Sequence, residues 1–217
     1  MKLLLTSDGL TNQSISETFL KLIGKNPSKS KVVFIPTASN IIAKDRQWMV
    51  DEFLKLKKLG FSYVDMVDIA AIAKEDWEPR FSSADVLLFA GGNPFYLKYW
   101  FQKSGLADIL LKLIENKVYL GVSASSMIIG PDFLIQPKQQ SKKYLEKGKE
   151  TIGLGIIDYA IMPHYEEGSQ DESTEKHLRG FAKKVKFPIY GIDDNSAIVV
   201  NGGKREIVSE GKWKKFE

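Results

Sequence analysis

The stretch KVYLGVSASSMIIG, residues 117–130, determines how the rest of the chain is interpreted. Its first half contains VYLGV (118–122), an apolar run typical of a strand buried on both faces of a sheet. Its second half is predicted to begin a helix, and only small residues separate the two elements. A strand that passes directly into a helix is the repeating unit of a parallel α/β sheet.

Strand-like and helix-like segments alternate along most of the chain in the same way. We predict strands at 2–7, 31–38, 62–69, 84–92, 118–123, 155–164 and 188–193. We predict helices at 14–25, 45–60, 93–105, 106–117 and 171–186. Ser14 is the expected N-cap of the first helix. This alternation predicts an α/β fold with a mainly parallel sheet and helices on both of its faces.

Two segments depart from this alternation. Residues 196–217 contain alternating strands broken by NGG and EG, which predicts a C-terminal β-hairpin. Residues 131–154 are polar and rich in lysine, and we expect a surface loop or flap there. Neither an internal repeat nor a linker interrupts the chain, so we predict a single domain over residues 1–217.

Composition excludes several classes of function. The 31 basic and 27 acidic residues give a net charge of +4, which is too small to indicate nucleic-acid binding. No apolar run approaches the roughly 18 residues of a membrane span, and we expect a soluble, cytoplasmic protein. The chain has no cysteine, so disulfides and thiol chemistry are excluded. With only two histidines, neither a metal site nor a cofactor is expected.

Ser123 is the first candidate for catalysis. Ligands of parallel α/β sheets bind beyond the carboxyl ends of the strands, and Ser123 comes directly after such a strand. A serine in a tight strand-to-helix turn, with Gly121 and Ala124 as small neighbours, is typical of a nucleophile elbow. Ser125, where such elbows usually have glycine, is expected to strain the turn. The alternative is a serine-rich helix N-cap without catalytic role.

His164 is the candidate general base. It follows the apolar strand DYAIMP, so its imidazole is expected at the same edge of the sheet as Ser123. The ordinary pKa of a histidine side chain, about 6.5, suits proton transfer near neutral pH. The alternative is a structural histidine. His177 lies among charged residues of a predicted helix, and we interpret it as a surface residue.

Backbone amides and a carboxylate complete the candidate site. In AGGNPF (90–95), the N–H groups of Gly91 and Gly92 can approach a ligand closely and could bind an oxyanion together with that of Ala124. In GIDDNSAIVV (191–200), either Asp193 or Asp194 could orient the histidine. The alternatives are an ordinary strand-to-helix turn and an aspartate that caps the turn into the hairpin.

Four motifs together resemble peptidase family S51, which includes the aspartyl dipeptidase peptidase E and cyanophycinase. They are LLFAGGNPFYL, GVSASS, IMPHYEEG and GIDDNSAIVV, in that order. The resemblance implies a three-layer α/β/α fold related to class I glutamine amidotransferases. It also implies a Ser-His-acid hydrolase in which Ser123 is the nucleophile, His164 the base and Asp194 the acid. Asp193 remains an alternative acid, and Asp132 a third candidate.

The expected substrate-binding residues are Asn93 and Glu175, and at Glu175 the sequence departs from the family. Aspartyl-specific members have a Thr-Arg pair on the helix after the histidine, where this chain has Thr174 followed by Glu175. A carboxylate there would repel an acidic substrate side chain, so we expect a basic or neutral N-terminal residue instead. Arg179 could compensate only if the register of the helix shifts.

The leading hypothesis is therefore a serine exopeptidase or dipeptidase that needs no cofactor and acts on short peptides. One alternative is a weakly active or inactive relative that binds a small ligand. A second is a flavin or nucleotide binder, because residues 6–16 form a polar loop that could hold a phosphate group.

Overall fold

The computed structural model describes residues 1–168 and 171–217. Its strands are β1 (Lys2–Thr6), β2 (Lys31–Ile35), β3 (Tyr63–Met66), β4 (Val86–Phe89), β5 (Val118–Val122), β6 (Ala160–Met162), β7 (Ile189–Ile192), β8 (Ser196–Asn201), β9 (Lys204–Ser209) and β10 (Trp213–Phe216). Seven of them form one sheet in the order β3-β2-β4-β5-β1-β8-β9. The first five strands of the chain are parallel in this sheet, and β8 and β9 are antiparallel.

Helices cover both faces of the large sheet, which confirms the predicted layers. The α-helices of the described residues are α1 (Gln13–Ile23), α2 (Gln47–Lys58), α3 (Lys74–Ser83), α4 (Pro94–Lys103), α5 (Leu106–Leu113), α6 (Ala124–Ile128) and α7 (Glu175–Ala182). α1 and α2 pack on one face through Phe19 and Leu56. α3 to α6 pack on the other face, where Phe81 and Phe101 are buried. In the described ranges, no helix has the length and hydropathy required to span a membrane.

The strands β6, β7 and β10 form a second, smaller sheet. Its order is β10-β7-β6, with β6 parallel and β10 antiparallel to β7. This sheet has its own small core, in which Tyr165, Leu178 and Phe216 are buried. The two sheets are joined where β7 of the small sheet turns into β8 of the large sheet through residues 193–195.

The C-terminal hairpin is confirmed for its first turn only. β8 and β9 pair around Gly202 and Gly203, whose φ values of 57° and 86° suit a tight hairpin turn. The second predicted turn, at 210–211, leads instead to the small sheet, where β10 pairs with β7. The Asp193 carboxylate accepts the backbone N–H of Lys212 and thereby fixes this crossing.

Two predicted helices have different boundaries in the structure. α1 is capped by Asn12 rather than Ser14, because the Asn12 carboxamide oxygen accepts a backbone N–H of the first turn. The segment 171–186 begins with a short 3₁₀ turn, Asp171–Ser173, and its α-helix is shorter than predicted. Thr174 separates the two pieces because its hydroxyl caps α7.

The lysine-rich segment 131–154 is a loop region held against α4. The ammonium group of Lys98, which is buried, donates to the carbonyl oxygen of Lys149 over 2.9 Å. The carboxamide of Asn93 donates to the Ser141 hydroxyl over 2.8 Å. These two bonds attach the middle and the second half of the loop region to the helix that follows β4.

Candidate active site

Ser123 lies in a tight turn between β5 and α6. Its φ of 50° and ψ of −107° are uncommon for a residue with a side chain, as expected of a strained nucleophile elbow. Its backbone N–H donates to the carbonyl oxygen of Thr6 (3.0 Å), and its carbonyl accepts from the N–H groups of Ser126 and Met127. A side chain at Gly121 would crowd Ser126, which explains the glycine in β5.

Ser125 does not strain this turn, contrary to the expectation from its sequence. Its side chain is fully buried, and its hydroxyl donates to the carbonyl oxygen of Phe89 in β4. The same hydroxyl accepts the backbone N–H of Val122 over 2.7 Å. Within this turn only Ser123 has a positive φ, so the position of Ser125 does not require glycine.

His164 is the side chain that the structure brings to Ser123. It follows β6, and its Nε2 lies 3.1 Å from the Ser123 hydroxyl oxygen. Its backbone is in the left-handed region, with φ of 58°, which is uncommon for a residue other than glycine. The second histidine, His177, lies on α7 against the ring of Phe181, outside this cluster.

Asp194 is the carboxylate that the structure places beside His164. Its Oδ1 lies 2.7 Å from the Nδ1 of the imidazole, on the side of the ring opposite Ser123. The two alternative acids lie elsewhere. Asp193 is buried and accepts from Ser196 and from backbone N–H groups of its own turn. Asp132 accepts from the hydroxyl of Thr151 and holds the loop region 131–154.

The charges around His164 favour an imidazolium paired with a carboxylate. Burial lowers the pKa of His164, but the hydrogen bond and charge of Asp194, with the charges of Asp8 and Glu167, raise it above 6.5 overall. Burial raises the pKa of Asp194, but hydrogen bonds from His164 and Ser7 bring it below 3.8 overall. The imidazole is therefore suited to accept a proton from Ser123 while Asp194 remains ionised.

The residues expected around an oxyanion lie beside Ser123. Gly91 and Gly92 line the same cleft as Ser123, and Ala124 is the first residue of α6. The N–H groups of Gly91 and Gly92 donate to no other residue that the structure describes. Gly92 has a φ of 147°, and a side chain there would overlap the carbonyl of Ala38. Two backbone donors are thus available near the nucleophile.

Sequence reasoning did not identify Ser7, which contacts both His164 and Asp194. Its hydroxyl lies 2.6 Å from Asp194 Oδ1 and 2.8 Å from the backbone nitrogen of His164. The only signal in the sequence was position, because Ser7 lies at the carboxyl end of the first predicted strand, 2–7, and ligands of such sheets bind beyond those ends.

The cleft in front of Ser123 and His164 has a volume of about 350 Å³. Its charged lining comes from Asp8 and from the segment before α2, with Lys44, Asp45 and Arg46. None of these four was predicted from the sequence. Of the described residues, neither Asn93 nor Glu175 lines this cleft.

The two expected substrate-binding residues are instead engaged within the protein. Asn93 is buried, and its side chain caps α4 and bonds Ser141. Glu175 pairs with Lys214 (2.8 Å) and Arg179 (2.7 Å), which hold its pKa at about 2. Because two cations offset its charge, Glu175 gives no physical reason to exclude acidic substrates, and that part of the interpretation is corrected.

Comparison with known proteins identifies relatives over most of the chain. The sequence model of peptidase family S51 matches residues 3–208. An uncharacterised peptidase of Pasteurella multocida is 24% identical over 188 residues, which cover 86% of this chain and 88% of the relative. A peptidase E of a Shewanella species is 25% identical over 200 residues, which cover 88% of this chain and 79% of the relative.

Solved structures show the same fold. A crystal structure from Listeria monocytogenes EGD-e, assigned as a peptidase E, gives a TM-score of 0.80 at 24% identity and covers 97% of this chain and 98% of its own. A peptidase from an acI-B1 Actinobacterium gives a TM-score of 0.67 at 20% identity. The match covers 98% of this chain and 88% of that peptidase. The predicted α/β fold, with a mainly parallel sheet between layers of helices, is thereby confirmed.

Proposed function

Because the chain belongs to peptidase family S51, we propose that it is a serine-type exopeptidase that hydrolyses short peptides with a triad of Ser123, His164 and Asp194. The observation that carries the proposal is the continuous contact through these three side chains. Ser123 Oγ lies 3.1 Å from one ring nitrogen of His164, and Asp194 lies 2.7 Å from the other. The uncommon backbone of Ser123 supports the same assignment.

In the proposed mechanism, Ser123 Oγ attacks the carbonyl carbon of the peptide bond while its proton passes to Nε2 of His164. The oxyanion is stabilised by the backbone N–H groups of Gly91, Gly92 and Ala124. The carbon–nitrogen bond then breaks, and the leaving amine takes the proton from Nε2. Water repeats the sequence on the acyl-serine, with His164 as base, and releases the free acid. Asp194 stabilises the imidazolium in both halves.

The cleft supports a short substrate with charged ends. Its volume of about 350 Å³ lies in the range of small-molecule sites. It has both cationic and anionic side chains, from Lys44, Arg46, Asp8 and Asp45. A dipeptide carries one ammonium and one carboxylate, which these groups can complement. The residue preferred at the N-terminus of the peptide is left to the experiment, because Glu175 no longer argues against an acidic one.

Two observations argue against the alternative functions. A ligand-binding relative was suggested by Ser125 and by the absence of the family's arginine after Thr174, but Ser125 is accommodated in the turn without strain. A phosphate-binding loop at 6–16 was suggested by its hydroxyl groups. Those of Thr6, Ser7 and Thr11 donate to protein acceptors, and the carboxylates of Asp8 and Asp194 would repel a phosphate.

A fluorophosphonate tests the proposal directly, because it reacts covalently with an activated serine. We expect one adduct on the wild-type protein by intact-mass measurement, and none on Ser123→Ala or His164→Ala. Ser126→Ala and His177→Ala are the matched controls, and both should still be labelled. Wild-type protein that stays unlabelled, beside a labelled control hydrolase, would overturn the triad and favour the ligand-binding alternative.

A dipeptide library then tests the substrate class. Free dipeptides should be cleaved, and N-acetylated or long peptides should be cleaved slowly, if the charged ends are recognised. Efficient cleavage within long peptides would contradict an exopeptidase while leaving the serine mechanism intact.

A further inference from the structure

We propose that Ser7 is a positioning residue, whose hydroxyl sets the base and the acid of the triad against the nucleophile. The inference rests on the proposed function, since it assigns a role within the same site. Ser7 follows β1 directly and is fully buried. It is not a catalytic residue, because it acts through His164 and Asp194 and not on the substrate.

The hydroxyl of Ser7 satisfies two partners at once. It donates to Oδ1 of Asp194 (2.6 Å) and accepts the backbone N–H of His164 (2.8 Å). One hydroxyl has one proton and two lone pairs, so both bonds can form together. Oδ1 of Asp194 also lies 2.7 Å from the imidazole Nδ1. One buried oxygen therefore fixes the backbone of the base and the side chain of the acid.

These bonds cross between the two sheets. His164 follows β6 and Asp194 follows β7, both in the small sheet, whereas Ser7 follows β1 in the large sheet. The residue before Ser7 also holds the nucleophile, because the carbonyl of Thr6 accepts the N–H of Ser123 over 3.0 Å. Two consecutive residues, Thr6 and Ser7, thus hold the nucleophile, the base and the acid in fixed positions relative to one another.

The conformation of His164 depends on this contact. Its φ of 58° is unfavourable for a residue with a side chain, and such a conformation persists only where surrounding bonds enforce it. Loss of the hydroxyl leaves the His164 N–H without its acceptor and removes one donor from Asp194. A shift of about 1 Å in a reacting group can reduce a rate about a hundredfold.

The test compares Ser7→Ala and Ser7→Thr with a matched control, Thr37→Val. Thr37 is also fully buried after a strand, donates to the Asp68 carboxylate over 2.6 Å and accepts a backbone N–H. It therefore makes the same kind of contact outside the triad. The measurement is the second-order rate constant of fluorophosphonate labelling as a function of pH.

We expect Ser7→Ala to be labelled about ten to a hundred times more slowly than wild type. We also expect the midpoint of its pH profile to move down towards 6.5, because a displaced Asp194 makes a weaker contact with the imidazolium of His164. Ser7→Thr should restore most of both properties, and Thr37→Val should keep the wild-type midpoint. If the added methyl prevents folding, Ser7→Cys replaces it and should give an intermediate rate, since a thiol is a weaker donor.

A proton NMR spectrum gives a second readout that does not depend on activity. The Nδ1–H of His164 should give a downfield resonance in wild type that shifts in Ser7→Ala and not in Thr37→Val. A labelled wild type whose Ser7→Ala variant keeps its rate, midpoint and resonance would overturn the role of Ser7. Unlabelled wild-type protein would instead overturn the proposed function on which the inference rests.

Discussion

At the scale of single residues, two uncommon backbone conformations face each other. Ser123 and His164 both have positive φ, and their side chains meet across 3.1 Å. Conformations of this kind are found at functional sites, where the surrounding structure enforces them. Here the enforcing contacts are the hydrogen bonds that the backbone N–H groups of Ser123 and His164 donate to Thr6 and Ser7, at the end of strand β1.

His164 should make the stability of the protein depend on pH. Its pKa is raised above 6.5 in the folded state, so the folded protein binds a proton more tightly than the unfolded chain. That contribution is fully present below pH 6.5 and is lost as the pH rises through the folded pKa. The difference in unfolding free energy between wild type and His164→Gln should therefore be larger at pH 5 than at pH 8 in urea denaturation. His177→Gln is the control, and a difference that grows with pH would contradict the prediction.

Substitution of Asp194 should reduce activity, whereas substitution of the adjacent Asp193 should reduce stability. Asp194→Asn should fold normally and be labelled by fluorophosphonate roughly 10³ to 10⁴ times more slowly. Asp193→Asn should keep its labelling and lose about 1–3 kcal/mol of unfolding free energy, because its buried carboxylate accepts several donors. Labelling rates measure the activity of each variant, and urea midpoints measure its stability. Slow labelling of Asp193→Asn, with normal labelling of Asp194→Asn, would assign the triad acid to Asp193.

At the scale of elements, the sequence predicted best where a local signal was strong. The strands β2, β4 and β5 were recognised from continuous apolar runs, and the turns after β4 and β5 were expected to carry part of the site. α3 was not recognised, because KEDWEPRFSS is polar, contains Pro79 and buries only Trp77 and Phe81. The pairing of β10 with β7 was also missed, since it depends on a distant contact of Asp193 and not on the sequence of the strand.

The same limit applies to the site. Ser123, His164 and Asp194 were found because serine, histidine and aspartate at strand ends suggest chemistry. Ser7 was not, because nothing in the sequence indicates which residue of a polar loop meets partners more than 100 positions away. Asn93 and Glu175 were expected to bind substrate, but each has partners within the protein.

The loop region 131–154 should be released by a single change in α4. Lys98 is buried, and its ammonium group donates to the carbonyl of Lys149. Lys98→Met keeps the aliphatic part of the side chain and removes this bond. We expect trypsin to cleave the loop region several times faster in this variant, while the thermal midpoint changes little. Lys103→Met, at the exposed end of the same helix, is the control, and equal cleavage rates would contradict the role of Lys98.

At the scale of the whole molecule, the candidate site spans the junction of two sheets. The large sheet supplies Ser123 and Ser7, and strands of the small sheet lead into His164 and Asp194. Packing in the core of the small sheet therefore affects the site directly, because it determines the position of the His164 imidazole. Phe216 is the residue that tests this, since it is buried against Tyr165, the neighbour of His164 in sequence.

Phe216→Ala should slow labelling more than an equally costly change far from the small sheet. Removing a buried phenyl ring costs about 3–5 kcal/mol, so both variants are compared well below their thermal midpoints. Phe19→Ala is the control, because Phe19 is buried in the core between the large sheet and helices α1 and α2, away from the small sheet. We expect a labelling rate at least several times lower for Phe216→Ala than for Phe19→Ala, since loss of the ring lets Tyr165 and then His164 shift. Equal rates in two folded variants would mean that Ser7 and Asp194 fix the base without help from the small core.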